Sequence, residues 1–128
     1  MADTFDVHSI CVTLPGTLGD GIPTPLFRVP TKGGCITVLE AHFSVATAIT
    51  AGTGVLMYGT AVAAGTLVPV ATIGTTFGTG GGEYDAMCLH AVSVDSAVVP
   101  AGNWVGFRIG TMAAAGQNKV YVSYVHGR

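Results

Sequence analysis

The sequence predicts an all-β domain, an antiparallel sandwich of about eight strands. Three observations lead there. β-Branched and aromatic residues come in runs of about 5 to 10. Gly and Pro clusters break those runs at short intervals, with 19 glycines and 6 prolines in 128 residues. No stretch pairs a helix cap with an apolar stripe at helical spacing. A chain of this length fits one domain, residues 1–128, and can bury roughly two thirds of the surface its unfolded form exposes.

Residues 5–13 form the first expected strand, closed by Leu14, Pro15 and Gly16 and a loop through Asp20 and Gly21. Residues 26–29 lie between Pro25 and Pro30, which confines them to a short strand at a sheet edge. Residues 35–46 are the longest continuous run, and a turn at 50–54 leads into a strand at 55–58. Residues 67–73 follow, with Pro69 marking an edge or a bulge. The segment GTTFGTGGG at 74–82 is poor in side chains and reads as a loop, either mobile or draped over a neighbour. Strands at 86–94, 104–109 and 120–126, a turn at 99–102 and a loop at 112–118 complete the chain. Helix competes only at 40–51 and 60–65, where alanines are frequent but caps are missing. No fixed repeat emerges.

Alternation is clearest near the end. Val105, Phe107 and Ile109 share one face, and Trp104, Gly106 and Arg108 the other; Val120, Val122 and Tyr124 oppose Tyr121, Ser123 and Val125. Faces so apolar on both sides predict burial on both sides, one against the second sheet and the other against a neighbouring subunit or the inner wall of an assembly.

Composition points the same way. Only 9% of residues are charged and 49% are hydrophobic, against about 25% charged in ordinary soluble proteins, and the mean hydropathy is +0.59. Gly, Thr, Pro and Ser interrupt every apolar run before it reaches the roughly 18 residues of a membrane span, so burial between subunits is the expected use of the apolar surface. The net charge is -2, and Arg28, Lys32, Arg108, Lys119 and Arg128 are too scattered to form a stripe for phosphates. Nucleic acid and membrane are thus not expected partners. The acidic N-terminus lacks the basic and apolar regions of a secretory signal, which predicts synthesis and retention in a cytoplasm. Cys11, Cys35 and Cys88 are odd in number and widely spaced, and are expected to be free, buried thiols.

Catalytic patterns are missing from the sequence. His8, His42, His90 and His126 form no H-x-H, H-x-D or H-E-x-x-H pattern. Ser9, Ser44, Ser93, Ser96 and Ser123 lie in or beside strands without a G-x-S-x-G elbow. Cys88 and His90 share a strand face, where packing explains them. Glu83 and Asp85 flank Tyr84 and serve to solvate the glycine-rich loop or to pair with another subunit. The glycine run has neither the lysine of a phosphate-binding loop nor a following helix. Trp104, Tyr58, Tyr84, Tyr121 and Tyr124 could stack on sugars, but Asn103, Gln117 and Asn118 are the only amides to read hydroxyl groups. The expectation is a protein without enzymatic activity, metal or cofactor.

A family resemblance enters at the end of the chain. SAVVPAG at 96–102, NWVGFRI at 103–109 and KVYVSYV at 119–125 resemble the closing hairpin of small jelly-roll domains in tailed-phage virions. CITVLEAHFSV at 35–45 and GVLMY at 54–58 resemble the first half of the same domains. The resemblance implies a jelly-roll-like sandwich serving as a capsid decoration, or cement, protein on the virion surface, self-associated as a homotrimer and bridging subunits of the major capsid protein. A tail-fibre, baseplate or receptor-binding module that holds a host-surface glycan is the alternative. Within either role the contact residues are expected at the N-terminal segment, through Phe5, Val7, Ile10 and Val12, and at the glycine-rich loop, through Phe77 and Tyr84, with Trp104 on the outward face of its strand.

Overall fold

The computed structural model describes residues 7–14, 23–45, 53–63, 65–77, 89–94, 97–110 and 118–127. Among them run eleven strands and no helix: β1 (His8–Thr13), β2 (Thr24–Arg28), β3 (Ile36–Ser44), β4 (Thr53–Gly59), β5 (Ala61–Ala63), β6 (Thr66–Val68), β7 (Ala71–Phe77), β8 (His90–Val94), β9 (Ala97–Val99), β10 (Trp104–Gly110) and β11 (Lys119–His126).

Pairing is nested and antiparallel throughout. β1 pairs with β11, β2 with β10, β3 with both β8 and β9, and β4 with β7. This is the pattern of one long hairpin folded back on itself, with its turn between β4 and β7. The folded hairpin is then wound so that β11 also meets β3 and β10 also meets β4. The result is a jelly roll, two four-stranded layers in the orders β1-β11-β3-β8 and β7-β4-β10-β2. β8 and β9 lie end to end along β3, one against Ala41 to Phe43 and the other against Ile36 to Val38. β7 and β8 join the two layers through Gly74↔Val94 and Thr75↔Ser93, leaving β1 and β2 as the two ends of the strand path.

Alternation builds the core between the layers. Ile36, Val38, Ala41 and Phe43 of β3, Val120 and Val122 of β11, and Val92 of β8 face Leu56, Ile73, Val105 and Phe107 of the other layer, all buried. Phe43 and Phe107 meet across the gap with ring centroids 5.2 Å apart, a contact worth about 1 kcal/mol beyond the area it buries. Three bulges bend the strands to wrap this core. The one between β3 and β11 leaves Leu39 without a partner between the pairs Val38↔Tyr124 and Glu40↔Ser123, so Leu39 and Glu40 both end up exposed.

The closing turn and, where described, the expected strands other than 67–73 are present. Asn103 N donates to Pro100 O at 3.3 Å, Gly102 takes φ +82°, and Gly102 N and Val29 N tie the turn to the end of β2. Pro25 lies in a terminal strand of the path, where a proline is tolerated. Three expectations are corrected. The run at 67–73 is not one strand: Pro69 ends β6, and β7 starts two residues later. Residues 74–77 are not loop but the end of β7, because Thr75, Thr76 and Phe77 find partners on β4; residues 78–82 lie outside the described residues. The reading of both alanine-rich segments as non-helical holds where they are described, since Glu40 to Ser44 belong to β3 and Ala61 to Ala63 to β5. The cysteines are not all buried: Cys11 is free and exposed and Cys35 is free and partly buried, because Cys11 sits on the outward side of a terminal strand. Cys88 lies outside the described residues.

Candidate interaction surfaces

The side chains able to carry chemistry are dispersed by the register. His42 stands on the outer side of β3, opposite Tyr121, while its neighbour in the ladder pattern, Phe43, turns inward and meets His90 at 5.4 Å between ring centroids. Ser9 and Ser123 hydrogen-bond each other across β1 and β11 at 3.1 Å. Among the described residues no three of His, Cys, Asp and Glu form a group that could hold a metal ion, and Glu83, Tyr84, Asp85, Cys88 and Ser96 lie outside those residues. The aromatic residues do not share one platform either. Tyr58 and Tyr124 pack on the main core, Trp104 belongs to a second cluster, and Tyr121 lies on the face opposite its core-facing neighbours Val120 and Val122.

That second cluster covers the outer face of the β7-β4-β10-β2 layer. Val55 and Met57, which alternate with the core residue Leu56, point away from the core and are nonetheless buried. The β5–β6 hairpin supplies the cover: Leu67 is 1% exposed and packs with Val55, Met57, Val62 and Trp104. Glycine makes the approach possible. A Cβ on Gly59 would run into the Val68 carbonyl, and one on Gly106 would run into the Leu67 side chain. Arg28 closes the rim, its guanidinium 5.8 Å from the centre of the Trp104 ring while its Nε donates to the Gly102 carbonyl at 3.1 Å. The expectation that the outward side of β10 is covered by another subunit is thus corrected in part: a short piece of the same chain covers it. Val68 at the end of β6 and Val70 just after it remain exposed.

The outer face of the other layer carries no described strand. Cross-strand rows there read Cys11, Tyr121, His42, Ala91 and Ser9, Ser123, Glu40. Leu39 is 48% and Val98 43% exposed on this side. The face is therefore mixed, small and polar near β1 and more apolar around the bulge.

At the β1 end the first and last strands meet. His8 stacks on Tyr124 at 5.4 Å and meets His126 edge-on at 5.0 Å. Phe27 of β2 stacks on the same tyrosine at 5.5 Å. Inspection of the sequence did not find this group, since its members come from both ends of the chain. The pairing of first and last strands that a jelly roll requires is the signal that would have found it.

The expected contact residues are placed as follows. Val7 is exposed, Ile10 packs partly on the core, and Val12 is partly buried, all along β1 or just before it. Phe77 ends β7 opposite Thr53, far along the chain from the β1 group. Trp104 lies beneath Arg28 beside the hairpin, still partly exposed. Phe5 and Tyr84 lie outside the described residues.

No protein-family model matches the sequence, and no curated protein matches it. Among solved structures, a chain of the cyanophage Pam1 capsid asymmetric unit shares the fold with a TM-score of 0.52. It is 15% identical, and the match covers 99% of this chain and 89% of that one.

Proposed function

We propose that this chain is a structural protein of a bacteriophage virion, a capsid decoration protein that binds the major capsid protein and bridges its subunits on the head surface. The observation that carries this reading is the jelly-roll path, matched end to end to a chain of a cyanophage capsid asymmetric unit. Composition supports it: a chain with 9% charged residues suits a neutral block largely covered by neighbours. Self-association closes as a trimer in this reading, because closed symmetry hides apolar surface. The bridging contacts are assigned to the N-terminal segment, through Phe5, Val7, Ile10 and Val12, and to the chain around Phe77 and Tyr84. No enzymatic step, metal or cofactor is part of the role.

Quantitative mass spectrometry of purified virions tests it. The expected result is many copies of this chain per particle, in a fixed ratio to the major capsid protein. A few copies per particle, together with glycan binding by the purified chain, would favour a tail or receptor-binding module. Absence from virions would overturn both.

A further inference from the structure

We propose that the open edge of β1 is an interaction site for a second copy of this chain, which pairs its own β1 antiparallel across a twofold axis. The contact deepens the self-association proposed above and coexists with threefold closure, since it uses one terminal strand only.

The directions of the backbone groups follow from one hydrogen bond. Leu14 N donates to Asn118 O at 2.7 Å, which continues the register Thr13↔Lys119 by one residue. Residues of β1 that exchange hydrogen bonds with β11 alternate. His8, Ile10 and Val12 therefore turn their N–H and C=O groups toward β11, and Ser9, Cys11 and Thr13 turn theirs to the opposite edge. Among the described residues no strand takes up that edge.

The two ends of the strand path differ in a way that bears on this. β2 carries Pro25 and Arg28 and is flanked by Pro23 and Pro30, features that discourage pairing with another chain. β1, His-Ser-Ile-Cys-Val-Thr, contains no proline and no Lys, Arg, Asp or Glu. Its core-facing side is also incomplete. Ile10 and Val12 stand opposite Val122 and Val120, which are 1% and 0% exposed, yet both remain partly exposed.

A second β1 fits this edge on each count. Facing side chains must lie on the same side of a sheet, so Ile10 meets Ile10 or Val12 of the partner, each covering the other's exposed flank. Ser9, Cys11 and Thr13 then meet one another on the outer side. Both registers that satisfy these conditions form hydrogen bonds between the outward-turned residues. In one, Cys11 stands opposite Cys11 at about 5.5 Å between Cα atoms; in the other it stands opposite Ser9. With no Lys, Arg, Asp or Glu on the strand, none of these charges is set against its own copy across the axis.

The test uses the purified full chain with Cys35→Ser and Cys88→Ser, leaving Cys11 alone, treated with a short bismaleimide cross-linker. A Cys11-to-Cys11 dimer, identified by peptide mass spectrometry, is expected. Ser9→Pro in the same background removes an outward-turned N–H while sparing the ladder to β11. It should leave the circular dichroism unchanged and lower the dimer yield about twentyfold, since the axis removes two hydrogen bonds each worth roughly a factor of five. No Cys11-linked dimer in a folded protein, or equal yields with and without Ser9→Pro, would overturn the proposal. Because virions are not used, such a failure would leave the copy-number test of the decoration role standing.

Discussion

The two layers of the jelly roll treat their outer faces differently. The β7-β4-β10-β2 layer buries Val55 and Met57 under the β5–β6 hairpin, whose Leu67 is 1% exposed. The β1-β11-β3-β8 layer leaves Leu39 48% exposed, on an outer face that also carries serines, a histidine and a free cysteine. Both layers come from strands that look two-sidedly apolar in the sequence. The difference teaches that two-sided apolarity in one strand identifies a buried face without saying whether the cover is the same chain or another.

The largest expected effect comes from removing the cover. Leu67→Ala should destabilise the protein by about 3 kcal/mol, as for other fully buried leucines, and denaturant unfolding would measure it. A loss near zero would mean that the hairpin rides on the sheet without contributing to it. On the open face, Leu39→Ser should change stability by less than about 0.5 kcal/mol in the same measurement, because the bulge leaves that side chain half in water. A cost as large as that of Leu67→Ala would show that the open face is covered after all.

What was legible in the sequence follows from the range of each interaction. Alternation and Gly/Pro punctuation are local, so β1, β3, β4, β10 and β11 could be found, and the prolines around residues 26–29 pointed to a terminal strand. β5 was missed because it has three residues, too few to show a period, and the equally short β6 was merged with the start of β7 into one expected strand at 67–73. The Leu39 bulge was hidden because it depends on how β11 lies against β3. The resemblance suggested a jelly roll, but the pairs that build the β1 surface, such as His8↔Tyr124, join the two ends of the chain and carry no local mark. The exposure of Cys11 follows from the same pairing, which is why burial was the wrong expectation for it.

The central claim is that partners meet the protein along the β1 side of the open layer and not over the hairpin. Hydroxyl-radical footprinting of the chain on purified particles, compared with the chain diluted to a monomer in solution, tests it most directly. The account predicts protection of Val7, Ile10, Val12 and Tyr121 on the particle, with Val68 and Val70 equally reactive in both states. Protection of Val68 and Val70 with no change at Val7, Ile10, Val12 and Tyr121 would contradict it.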